Sequence, residues 1–329
     1  MSKWSVAHRL AQMAAARMRG DAGLDTAARA DIPALLRAQG LVVQAEPADR
    51  LFGAYMPADP DLGIPGGVWL NGGLTLPGQR HTGAHELGHH ALGHGASYDT
   101  DIAALAPPGT PLDFGESCAE AFAAWLLMPR AALQCALRAV AVRPGAPTAV
   151  EVYRVSLLLG TSYRGTARHL GVAHLIPDQD SGRLQRAVPG RLKDACDDPS
   201  APPRDGRGEV WALADFTAAG DIVVADGDRL VLPAHAVAAA DELVDTGHAE
   251  HVHHGLHHIT LTARTRSTTP EPDPADGVEI HPDGPDGAGV RLRVQTPLRR
   301  TPPRETPPPD VSRLDEAELD RLLAGTRDH

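Results

Sequence analysis

Aromatic residues make up only 4% of the 329-residue chain, lysine occurs twice (Lys3 and Lys193), and there are three cysteines. With so few aromatics, the core must be assembled mainly from Leu, Val and Ala. Cys118, Cys135 and Cys196 are too few and too scattered for a disulfide framework. No segment approaches the roughly 18 apolar residues of a transmembrane helix. Residues 1–5 lead into an amphipathic Ala/Arg/Met run without the apolar stretch of a signal peptide. These absences predict a soluble, cytoplasmic chain with no membrane partner. A formal net charge of −11 argues against a general nucleic-acid-binding surface.

What is present exceeds one average domain, so two domains plus tails is the expectation. Residues 4–19 form a strong helix closed by Gly20, and a second helix is predicted over 26–38 with Pro33 in its first turns. Strands follow at 41–43, 52–56 and 68–71, then a helix at about 82–93. Residues 95–115 read as a surface loop. Helices are predicted from Glu116 to before Pro129 and over 130–140, and residues 147–176 carry a helix–turn–helix-like pattern. After Pro177 the texture changes. Residues 177–207 read as a linker. Residues 208–298 read as a small, mostly β domain with strands at 209–216, 221–224, 229–232, 258–265 and 290–295. Residues 299–329 form a Pro-rich tail, predicted disordered, with a short helix at 312–324.

The helix at 82–93 carries His85-Glu86-Leu87-Gly88-His89, a match to H-E-x-x-H. Residues four apart lie one above the other on a helix, so His85 and His89 present two imidazoles to one point. Glu86 sits about 100° further round, within reach of a water there. That is the minimum for a metal-activated hydrolytic water and its base. A chain with 17 histidines also produces such a pattern by chance, as an ordinary solvated face. A third ligand decides between them. The metzincin continuation fails, because Leu92 and Gly95 stand where Gly and His are required. Glu116 and Glu120, at i and i+4 on the next apolar helix, share one face. One can bind the metal while the other accepts a hydrogen bond from a ligand histidine's free ring nitrogen.

The strand ending in Asn71, then Arg80-His81-Thr82-Gly83-Ala84-His85-Glu86-Leu87-Gly88-His89-His90, then Glu116-x-x-Ala119-x-x-Phe122-Ala123-x-x-Leu126-Leu127-Met128-Pro129, resembles the ImmA/IrrE metallo-endopeptidases over about residues 5–176. Gly160-Thr161-Ser162-Tyr163-Arg164 with Arg168-His169-Leu170 is similar to the family's later helical segment. The resemblance implies an α+β fold: a compact zincin-like peptidase domain at 1–176, with a helical extension at 150–176. It implies Zn2+ held by His85, His89 and Glu116, with Glu86 as general base. The family has Asn at the place of Glu120, so that carboxylate either supports a ligand or competes with Glu116 for the metal. Beside the cleft, strand 68–71 with Asn71 is the candidate to pair with an extended substrate. The implied substrate is a protein, often a neighbouring helix–turn–helix repressor, with a role in transcription regulation and stress response. The alternative is a non-proteolytic regulatory protein that binds a transcription factor and keeps a structural or degenerate metal site.

His90 and His94 read as solvated or core histidines and Cys118 as a small buried apolar residue. Tyr98, Tyr153, Tyr163, His169 and His174 are candidates for an oxyanion stabiliser, and the sequence does not choose among them. The helix–turn–helix-like segment has only Arg154, Arg164 and Arg168 as basic residues, so packing is its expected role. The run 248–258, with histidines at 248, 251, 253, 254, 257 and 258, reads as a polar loop or a second metal site.

Overall fold

The computed structural model describes residues 3–99, 113–141, 147–204, 206–265, 277–283 and 287–298. The fold is α+β. The tail at 299–329, with its predicted helix, lies outside the described residues, as does most of the predicted loop before Asp113.

Helix α1 (Lys3–Asp21) is followed by α2 (Ile32–Ala38), which starts six residues later than predicted. Asp31 explains the late start: its extended backbone and its carboxylate, which accepts from Ala34 N at 3.0 Å, form an N-cap with Pro33 in the first turn. Strands β1 (Val42–Glu46), β2 (Gly53–Met56) and β3 (Gly67–Asn71) come next, then α3 (Leu76–Leu92) and the short β4 (Ser97–Asp99). They form one sheet in the order β1-β3-β2-β4, with β1 parallel to β3 and the other pairs antiparallel.

Helix α4 (Phe114–Leu127) packs on both α1 and α3, and α5 (Arg130–Ala139), α6 (Ala149–Leu159) and α7 (Tyr163–Val172) complete the helical layer. Phe122, Leu126, Leu133, Tyr153 and Leu170 are almost fully buried within it, a Leu-rich core as the composition required. The helix–turn–helix pattern is observed, with Gly160 supplying the left-handed turn (φ 63°). Two of its arginines are committed internally, Arg154 to Asp215 at 2.5 Å and Arg168 to Glu120 at 2.6 Å.

The segment read as a linker holds two helices instead, α8 (Asp178–Gln185) and α9 (Pro189–Cys196). Charged residues around Pro and Gly suggested a loop, but Leu184, Leu192 and Cys196 form a sparse buried side. Tyr163 OH donates to Leu184 O at 2.8 Å and fastens α8 to α7.

The C-terminal part contains a sheet ordered β5-β7-β9-β8 and another ordered β10-β11-β6, from β5 (Val210–Ala212), β6 (Asp221–Ala225), β7 (Arg229–Pro233), β8 (Ala249–His254), β9 (His258–Ala263), β10 (Val278–Ile280) and β11 (Val290–Gln295). A 3-10 helix at Leu213–Ala219 replaces the second half of the first predicted strand. Helix α10 (Val237–Asp245) was not predicted. The histidine-rich run is no loop: most of it is edge strand β8, with a bulge between His251 and His253.

Apolar contact continues unbroken from the N-terminal helices into these sheets. Arg29 Nη1 donates to Val223 O at 3.0 Å, Tyr153 OH to Glu209 Oε2 at 2.8 Å, and Gln79 Nε2 to Leu298 O at 2.6 Å.

Asp228 ties the β region together. Buried in a turn, it accepts from Glu209 N (2.8 Å), Ala225 N (2.9 Å) and Trp211 Nε1 (2.9 Å). Asp228→Ala leaves three donors without this acceptor, so urea unfolding of the full chain should show a loss of about 3 kcal/mol or more. A loss below about 1 kcal/mol would contradict this role.

Candidate metal centre

Helix α3 runs nearly two turns further toward its N-terminus than the sequence predicted. Thr75 caps it by accepting from Gly78 N, Pro77 occupies the first turn, and Gly93 (φ 70°) ends it in the left-handed conformation. Two glycines set the site's dimensions. A Cβ on Gly88 would lie 3.1 Å from the Ala119 backbone and from Phe122, so its absence lets α3 and α4 cross closely. A Cβ on Gly53 would lie 2.6 Å from Glu86 Oε1, so β2 leaves room for that carboxylate under the sheet.

The close crossing brings three donor atoms to one point. His85 Nε2 and His89 Nε2 are 3.0 Å apart; Glu116 Oε2 is 3.2 Å from the first and Glu116 Oε1 is 3.5 Å from the second. Ligand atoms about 2.0–2.1 Å from a tetrahedral zinc stand about 3.3 Å from one another, so these separations fit such an ion without rearrangement. Both imidazoles are buried, while the Glu116 side chain keeps 39% of its surface exposed. The group is therefore open on its carboxylate side.

The far side of each imidazole is also occupied. His89 Nδ1 lies 3.1 Å from His94 Nδ1. His85 Nδ1 lies 3.8 Å from Glu120 Oε2. Glu120 is itself held by His81 Nε2 at 2.9 Å and Arg168 Nη2 at 2.6 Å. Glu120 thus stands behind His85, away from the Nε2 atoms that converge with Glu116. Glu86 is fully buried and accepts from Ser97 Oγ at 3.0 Å.

This packing sets the protonation of the site without a metal. Burial opposes charge on His85, but its hydrogen bond to Glu116 and the nearby carboxylates of Glu120 and Glu86 outweigh it, pushing His85 up to about 10. Hydrogen bonds from His85 and His89 hold Glu116 well below the usual carboxylate range. A proton on His85 does there what a cation would do.

The structure brings together His85, His89 and Glu116, with Glu86 beside them and Glu120 behind. Asn71 does not join them. Strand β3 lies between β1 and β2, so both its edges are already paired and it cannot take a substrate strand. The Asn71 side chain instead bonds Ala48, Leu51 and Gly73 and braces the loop before β2. None of the five oxyanion candidates is among the residues that meet at the centre. Tyr153 and Tyr163 are tied to Glu209 and Leu184, His169 bonds Met128 O, and Tyr98 alternates with Ser97 on the strand. His90 bonds Tyr55 OH at 3.1 Å, and Cys118 is buried. Among the described residues, His85, His89 and Glu116 are the only three potential ligands with all donor atoms within 4.8 Å, so residues 248–258 form no such group. Sequence reasoning missed the supporting roles of His81, His94 and Arg168. His81 was legible, because it precedes His85 by one helical turn on the same face.

Residues 36–157 match the Peptidase M78 family model, described as the IrrE N-terminal-like domain. The match contains the first sheet, α3 and α4. No curated protein matches the chain.

Two predictions follow from the geometry. Metal uptake must displace the proton on His85, so apparent affinity should rise about tenfold per pH unit from pH 6 toward about 10. Calorimetry in buffers of different ionisation heat should find about one proton released per metal at pH 7; release of none would contradict this protonation. Glu116→Ala should abolish stoichiometric metal binding, whereas Glu120→Gln should weaken it about 10- to 100-fold. The reverse order would exchange the two carboxylates' roles.

Proposed function

Taking residues 36–157 as a domain of the ImmA/IrrE metallopeptidase family, we propose that this chain is a zinc-dependent endopeptidase cutting a protein substrate. The observation that carries the reading is the convergence of His85 Nε2, His89 Nε2 and Glu116 within 3.0–3.5 Å, with a buried carboxylate, Glu86, on the adjoining helix position. The donor set, two imidazole nitrogens and one carboxylate, is that of catalytic zinc sites with an open fourth position. Bound zinc supplies Lewis acidity, polarising a carbonyl oxygen and making water acidic near neutral pH.

Each remaining part is played by the chain's own side chains. Glu86, held in place by Ser97, accepts the proton of the attacking water and returns it to the departing amine nitrogen. Glu120 fixes the ring of His85 from behind, and His94 does the same for His89. The substrate backbone pairs along β4 rather than β3. Strand β4 is the sheet's edge next to Glu86: among the described residues it pairs with β2 alone, and it carries the serine that touches the base. The family resemblance points to a helix–turn–helix repressor as substrate, in the cytoplasm.

Glu86→Gln keeps the shape of the side chain and removes the base. The variant should bind one metal per chain as the parent does and lose at least about 100-fold in cleavage of a repressor substrate. Cleavage at the parent rate would sink the mechanism. Repressor binding by both proteins, with zinc present and the repressor uncut, would favour the non-proteolytic alternative.

A further inference from the structure

A cavity of about 310 Å³ lies beside the metal centre, between α1, the first turns of α3, α4 and α7. Its walls are mainly apolar: Trp4, Ala121, Ala124, Leu127, Met128 and Val172. His8 and His169 also line it, and both are kept neutral. Burial pushes His8 down to about 4 and His169 down to about 3, and the Arg168 guanidinium adds to the effect on both. The interior therefore offers little to a charged group and favours an apolar one.

The rim connects this cavity to the candidate site. Ser117 directly follows Glu116 on α4, and His81 lies one turn before His85 on α3. Glu120 and Arg168 close the rim as an ion pair at 2.6 Å, the Arg168 side chain being 43% exposed. Glu116 is exposed to a similar degree on the same helix. The stretch of α4 that carries Glu116 thus also supplies Ser117 and Glu120 to the lining of the cavity.

We propose that this cavity receives a bulky apolar side chain of the substrate, next to the scissile bond, and so sets the enzyme's sequence preference. The inference rests on the peptidase reading above for its occupant, while the pocket itself rests on the packing of α1, α4 and α7. Leu, Met and Phe suit its apolar lining. Asp and Glu are disfavoured because they would surrender hydration to an interior where, among the described lining residues, the charged cation is the already paired Arg168. The half-buried Ala124 is where its volume can be removed without touching the metal ligands.

The test uses the full-length, zinc-loaded chain and a pool of peptides varied around the cut. The parent should favour Leu, Met or Phe over Ala by about tenfold or more at one position flanking the bond. Ala124→Phe should erase that preference, so that peptides with Leu, Met or Phe there are cut no faster than those with Ala. Should the phenylalanine variant not fold, Ala124→Leu serves, with a partial loss expected. Unchanged preferences in a folded variant would overturn the proposal. Binding of N-acetylphenylalaninamide, followed by NMR, separates this proposal from the peptidase reading. If the parent cuts nothing yet binds the amide saturably, and Ala124→Phe does not, the pocket stands and the peptidase reading falls. If the parent neither cuts nor binds, both fall.

Discussion

The candidate site depends on one electrostatic constraint: ionisable side chains from three helices and the turn after α3 are gathered into a largely buried cluster, and each buried member must be compensated there. Glu86, Glu120, His85 and His89 are all buried. An isolated buried carboxylate costs several kcal/mol, so such a cluster persists only if charges and hydrogen bonds balance around it. Arg168 and His81 answer Glu120, Ser97 answers Glu86, and His94 backs His89. These partners come from α7, the start of α3, β4 and the turn after α3. The balance therefore fixes where those elements lie. Removing one partner disturbs elements far apart in sequence, which is why Arg168, on the second helix of a helix–turn–helix pattern, belongs to the candidate site.

Close packing makes that balance possible. The crossing of α3 over α4 at Gly88 and Ala119 places Glu116 opposite His85 and His89, and the missing Cβ of Gly53 admits Glu86 beneath the sheet. Glycine inside a helix or strand costs roughly 0.5–1 kcal/mol against alanine. Here the cost falls at the two positions where backbone must approach backbone or a buried carboxylate. Arg80 completes the frame, donating to Ala30 O, Leu159 O and Gly160 O, so the motif helix is pinned to both the chain just before α2 and the α6–α7 turn.

Much of the helical half was legible from periodicity, and the candidate ligands from spacing, because both depend on local geometry. His85 and His89 four residues apart, and Glu116 with Glu120 four apart, define faces that need no tertiary information. What was not legible depends on contacts made elsewhere. Which carboxylate faces the imidazole Nε2 atoms is decided by Arg168 and His81 pulling Glu120 away, and neither is near Glu120 in sequence. Strand β3 reads as a substrate partner until the sheet order shows it enclosed. Helices α8 and α9 hid behind a polar composition because three apolar contacts suffice to seat such short elements. In β8, the histidines broke the alternation that normally announces a strand, and a bulge displaced what alternation remained.

The C-terminal sheets are coupled to the candidate site through the same helix. Gln79, one turn before Gly83 on α3, exchanges two hydrogen bonds with Leu298, donating at 2.6 Å and accepting at 2.8 Å. Tyr153 on α6 gives its hydroxyl hydrogen to Glu209 and receives the N–H of Val210 at 2.9 Å, while Arg29, just before α2, donates to β6. These contacts anchor the β region to α3 and α6 and to the chain just before α2. The Arg80 hydrogen bonds join α3 to the α6–α7 turn and to Ala30, beside those anchors. Displacing the β region as a body would therefore break polar contacts at several points and load α3 directly, one helical turn before the residues that surround His85. The accessory half is thus part of what holds the motif helix in place, even though its described residues supply none of the converging ligand atoms.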